Sequence, residues 1–193
     1  MGSHLATIVL IVRRFAKTVF GREGYLTNTL PVSAHQLILS KLLVAFILDI
    51  ISSLVILLSI GIIATFCLDM KDILLATSYF GQILKEIGAF YLFIPSTILS
   101  MIAGILFYYL CISIGNLFNT NKVLMGFVAF FAIQAILFFI GFFFGLGAAL
   151  TGDATYTAIN NSSYIISLVQ SLILIAASYF GTYYIMTKRL NLD

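Results

Sequence analysis

Four long apolar runs constrain this chain more than any other feature. They cover about Leu42 to Leu68, Ala89 to Ile114, Val123 to Leu150 and Tyr164 to Thr187. A helix needs roughly 20 apolar residues to cross the hydrocarbon core of a bilayer, and each run supplies them. The runs are continuous, not ten-residue segments of alternating polarity, so they predict helices and not barrel strands. A helix also satisfies its own backbone donors and acceptors where no water is present. Composition removes the soluble alternative. Of 193 residues, 62% are hydrophobic and 9% charged. Soluble domains carry about 25% charged residues, and a chain of this size cannot hide so large an apolar excess from water. The expected fold class is all-α: a polytopic membrane helical bundle forming a single transmembrane domain over residues 1–193.

A fifth run, Leu5 to Val12, is too short to cross and continues as RRFAKTVF. Residues 5–20 read either as the inner end of a shortened spanning helix or as a helix lying at the interface. The start MGSHLATIVLIVRR places its cations after the apolar run, the reverse of a cleavable signal. MGSH also has the form of a tag remnant.

Basic residues set the expected orientation. Arg13, Arg14, Lys17, Arg22 and Lys41 precede the first full run, Lys122 lies between the second and third, and Lys188 and Arg189 follow the fourth. With alternating spans these eight share one side, and only Lys71 and Lys85 fall on the other. Lys and Arg collect in cytoplasmic loops, so the expected arrangement is a multi-pass plasma-membrane protein with a cytosolic C-terminus. Tyrosines near the helix ends, among them Tyr79, Tyr91, Tyr108 and Tyr183, suit the interface depth on both sides. Between the first two runs, MKDILLATSYFGQILKEI puts apolar residues at spacings of three and four, which predicts an amphipathic helix on the outer surface. GLGAALTGDATYTAINNSS reads as an outer loop, with Asn-x-Ser sequons at Asn160 and Asn161.

The segment GREGYLTNTLPVSAHQLILSKLL is unexpectedly structured for so apolar a chain. Pro31 stops any preceding helix and biases Leu30 to an extended form. SAHQ then satisfies the capping box, with Ser33 as N-cap and Gln36 three residues on. A helix is therefore expected from about Ala34, running through Lys41 into the first span. Tyr25, Leu26, Leu30 and Val32 are apolar groups in this stretch. They form either a docking surface or a segment dipping into the headgroup layer.

The stretch RRFAKTVFGREGYLTNTLPVSAHQLILSKLLVA resembles the cytosolic loop of membrane subunits of ATP-binding-cassette transporters, type 2 permease class. The resemblance lies in Arg14-Phe15, Gly24 to Thr27, Thr29 to Ser33 and Ser40 to Leu43. It implies six spanning helices per subunit, homo- or heterodimerisation of permease subunits, and two separate ATPase subunits. It also implies a coupling region at residues 21–35, with Gly24, Tyr25, Leu26, Thr27, Leu30, Pro31, Val32 and Ser33 engaging the ATPase. The chain departs from the pattern in lacking the first helix and most of the second.

No P-loop, HExxH or GxSxG pattern occurs, and no nucleophile–base or metal set lies at membrane depth. The chain is therefore expected not to be an enzyme and to bind no cofactor, with ATP held by a partner. Basic residues do not interleave with aromatics, so nucleic acid is not an expected partner. Asp49 in the first span costs about 2.5–3.5 kcal/mol on insertion scales unless it faces protein or water. It, Gln134 and Gln170 are candidate pathway groups, with interhelical hydrogen bonding as their plainer role. Gly141 and Gly145 form a GxxxG candidate for helix packing or dimerisation. Pro95, followed by Ser96, Thr97 and Ser100, either kinks its span or supplies a hinge. Cys67 and Cys111 fall near opposite faces and are expected to be free, buried thiols. The expected function is the permease subunit of an exporter, and the alternative is a non-transporting scaffold or immunity-type protein that binds a partner through the same loop.

Overall fold

In the computed structural model residues 2–20, 33–67, 69–85, 88–118, 121–150 and 161–188 are described. They form helices α1 (Gly2–Phe15), α2 (Ala34–Cys67), α3 (Met70–Lys85), α4 (Gly88–Gly115), α5 (Lys122–Leu150) and α6 (Asn161–Lys188), with no strand among the described residues. A π-helical turn, Ala16–Phe20, extends α1. Four helices, α2, α4, α5 and α6, are long and apolar enough to cross a membrane. The protein is an all-α helical bundle of the multi-pass membrane type.

The centre of the bundle is α4. It packs most extensively on α6, then on α5, and contacts α2 and α1 with its remaining surface. Small residues make the α4–α6 contact close. Ser171, Ser178 and Thr182 are buried along one face of α6, and a Cβ added to Gly181 would lie 2.6 Å from Leu110 Cδ1. Lipid tails are as apolar as leucine, so helices in a bilayer associate through such close packing and not through exclusion from water.

The buried core sits at one end. Ile11, Phe15 and Val19 pack with Ile38 and Ala45 of α2, Leu106 and Tyr109 of α4, and Met186 of α6. Phe15 stacks on Tyr109 with ring centroids 3.8 Å apart, and the Tyr109 hydroxyl donates to the Lys41 carbonyl at 3.0 Å. His35, at the start of α2, stacks on Tyr183 near the end of α6. Hence α1 is a packed element of the bundle. These contacts gather Arg13, Arg14, Lys17, Lys41, Lys122 and Lys188 at the same end of the molecule.

The opposite half is open. Along α2, large apolar residues from Leu54 to Phe66 are exposed, and no residue between Lys122 and Phe143 of α5 is buried. The amphipathic helix α3 also leaves Met70, Leu74 and Leu75 uncovered, as suits a helix resting on a membrane surface. Pro95 lies inside α4. The Ser96 and Thr97 hydroxyls donate to the Phe93 carbonyl at 2.8 and 2.9 Å, whereas the backbone bond that the proline removes is the one to the Tyr91 carbonyl.

Candidate functional site

Because α5 and α6 both lean on α4, a cleft opens between them. Its volume is about 490 Å³. Each helix contributes one face at helical spacing. From α4 come Ser100, Ala103, Gly104, Phe107 and Tyr108; from α5, Phe130, Gln134 and Leu137; from α6, Ser167, Gln170, Ser171 and Leu174. The structure thus places Gln134 and Gln170 on one cleft, although they are 36 positions apart in the sequence. Gln134 lies near the middle of α5, and Gln170 about a third of the way along α6.

The cleft is zoned. At its floor the Ser100 and Ser171 hydroxyls meet at 3.1 Å, tying α4 to α6. Gly104 leaves space, since nothing lies within 4 Å of an added Cβ there. Toward the basic end, Phe107 and Tyr108 face Phe130, with centroids 5.6 and 6.1 Å apart. Glutamine offers both donors and an acceptor, and serine offers one of each. The lining therefore holds neutral hydrogen-bonding groups between apolar and aromatic walls, with no carboxylate and no cation among the described residues. Such a surface suits an uncharged polar group carried on an apolar body.

Asp49 is not part of this lining. It is buried in the bundle, on α2. Ser53 Oγ donates to the Asp49 carbonyl at 2.9 Å, and the neighbouring Ser52 Oγ is buried without a hydrogen-bond partner. The acidic candidate therefore stands outside the lining that the two amide candidates share.

At the start of α2, the capping box is formed in both directions. The Gln36 amide donates to Ser33 Oγ at 3.4 Å, and the Ser33 amide donates to Gln36 Oε1 at 3.2 Å. The reciprocal pair satisfies donors that a helix start would leave orphaned. Of the coupling residues, Ser33 is described. Gly24, Tyr25, Leu26, Thr27, Leu30, Pro31 and Val32 lie outside the described residues.

Gly141 meets nothing within 4 Å in this chain, and the surroundings of Gly145 lie outside what is described. Among the described residues, two glycines approach each other closely elsewhere, Gly115 and Gly126 at the α4–α5 turn. Sequence reasoning missed that pair. Its only signal was a pair of glycines flanking a short polar turn. Cys67 and Cys111 are both free; Cys111 is buried as expected, but Cys67, the last residue of α2, is exposed because that end of the helix is left uncovered by the described residues. No group of metal-ligating side chains is found among the described residues.

Comparison of the chain with protein-family models, curated proteins and solved structures gives no match.

Proposed function

We propose that the chain is the membrane permease subunit of an ATP-binding-cassette exporter, working as a homo- or heterodimer in the plasma membrane. ATP is bound and hydrolysed by separate ATPase subunits that dock on residues 21–35. The basic end of the bundle faces the cytosol, and the C-terminus lies there too.

One observation carries this reading: α2 runs unbroken for 34 residues from its doubly capped start at Ser33. At 1.5 Å per residue its length is about 50 Å, against a hydrocarbon core of about 30 Å. The helix therefore extends beyond the bilayer as one stiff piece. Leu37, Ile38 and Ala45, buried on that piece, seat it against α1 and α4. A push on the capped end tilts α2 about this packed region and moves α4, whose other face floors the neutral cleft. The cleft is the part of the pathway that this subunit contributes, with Gln134 and Gln170 as its hydrogen-bonding groups.

Leu37→Pro tests the lever. An internal proline removes a backbone bond and costs about 3 kcal/mol or more of helix stability. The expected outcome is normal membrane insertion and continued ATP hydrolysis by the co-purified partner, with transport lost. Normal transport by this variant would refute the mechanism, and purification without any ATPase partner would refute the class.

A further inference from the structure

A second cavity, about 170 Å³, lies between α1 and α2 at the basic end, away from the cleft. Its polar lining is Arg14, Ser40, Lys41 and Tyr109, and its apolar lining includes Ile11, Val44 and Leu48. We propose that this cavity binds the phosphodiester headgroup of an anionic phospholipid, held by Arg14 and Lys41. The site is independent of any transport role.

Charge, space and depth all support it. Two cations share the lining with no carboxylate among the described residues. Arginine presents a planar fork that matches phosphate oxygens, and lysine adds a mobile point charge. Lys41 is placed by the core: the Tyr109 hydroxyl donates to its backbone carbonyl, and Tyr109 is stacked on Phe15. Ser40 Oγ already donates to the Leu37 carbonyl at 2.9 Å, so the donors left for an anion are the two cations. A cavity of roughly 150 Å³ holds a benzene ring, so a phosphate group fits in this one.

The apolar half decides between a lipid and a free anion. Val44 and Leu48 belong to the first membrane run, and Leu10, Leu39 and Leu43 are exposed on the same two helices. A hydrated inorganic phosphate gains nothing from such walls. A phospholipid gains apolar contact for its glycerol and acyl chains while its phosphate reaches the cations. Basic pockets between helices on the cytoplasmic side of a bilayer recognise lipid headgroups in this way.

The test is native mass spectrometry of the full-length protein released from bilayer discs. The discs contain phosphatidylcholine with about a fifth phosphatidylglycerol, and the readout is the ratio of the two lipids retained. Two cations near the surface correspond to about a thirty-fold preference for the anionic lipid. R14Q/K41Q should reduce it to a few-fold. K122Q/K188Q removes two charges from the same end and should leave it intact, and R14K/K41R should retain most of it. Equal loss in both glutamine pairs would mean diffuse attraction to the basic end and would overturn the site. So would the absence of a preference in the unaltered protein. If inorganic phosphate at millimolar concentration displaces the lipid and protects the protein from heat as well as phosphatidylglycerol does, the lipid assignment is overturned in favour of a free anion. Should R14Q/K41Q fail to fold, the single variants decide, each losing part of the preference.

Discussion

The sharpest structural prediction concerns three glycines that look alike in the sequence. Gly115 ends α4. A Cβ there would lie 2.6 Å from the Lys122 carbonyl oxygen, 2.8 Å from the Gly126 nitrogen and 2.9 Å from the Gly126 Cα. All three are backbone atoms, so no side chain can rotate aside. Restoring the shortest contact to an ordinary 3.4 Å needs a shift of 0.8 Å between α4 and α5. Overpacking of this kind costs about 1–3 kcal/mol. Replacing a helical glycine by alanine returns about 0.5–1 kcal/mol through lower backbone entropy. Because only backbone atoms clash, the overpacking cost belongs in the upper part of its range, about 2–3 kcal/mol, and Gly115→Ala should destabilise the protein by about 1–2.5 kcal/mol. Gly104→Ala and Gly141→Ala meet nothing within 4 Å, so only the helix term remains, and both should be neutral or slightly stabilising. Denaturant titration in mixed micelles, followed by circular dichroism, separates the two classes. Equal stability of Gly115→Ala and the unaltered protein would refute the turn geometry. Destabilisation by Gly141→Ala would refute the open surroundings of α5.

Other substitutions probe the cleft, the cap and the core. Gly104→Leu places an apolar side chain in the cleft without a clash at its Cβ, so substrate-stimulated ATP hydrolysis by the assembled complex should fall while thermal stability holds; unchanged stimulation would remove the cleft from the pathway. Ser33→Ala should cost about 1 kcal/mol and speed amide exchange at Gln36 and Leu37, and unaltered exchange there would show the cap to be dispensable. Tyr109→Phe keeps the stack on Phe15 but loses the bond to the Lys41 carbonyl, so it should cost about 0.5–1.5 kcal/mol, well short of the 3–5 kcal/mol expected for Phe15→Ala. Comparable losses in the two variants would place the energetic weight on the hydroxyl.

Much of the architecture was legible because bilayer thickness and helix geometry leave little freedom. Apolar run length located α2, α4, α5 and α6, and the SAHQ signature located the start of α2 at Ala34, where the reciprocal Ser33–Gln36 bonds form. Spacings of three and four likewise located α3, with its apolar residues left exposed. Which residues share a site was not legible. Gln134 and Gln170 share a cleft because α4 lies between α5 and α6, and run lengths do not encode that order of neighbours. Asp49 is likewise a polar residue inside an apolar run, yet it is buried on α2 and outside that cleft. The Phe15–Tyr109 stack joins residues 94 positions apart through two aromatic rings that, in so apolar a chain, carry no distinguishing mark.

The turn at Gly115 and Gly126 has a mechanical consequence. It fastens α5 to the bundle near one tip, while the rest of that helix carries no buried residue as far as Phe143. From Gly126 to Phe143 that arm measures about 26 Å. A swing of about 10° around the fastened tip would carry Phe143 through roughly 4.5 Å. Small adjustments at the glycines, and at Phe130 against Phe107 and Tyr108 one turn further on, would therefore be magnified at the cleft mouth, as play in the hinges is at the rim of a door.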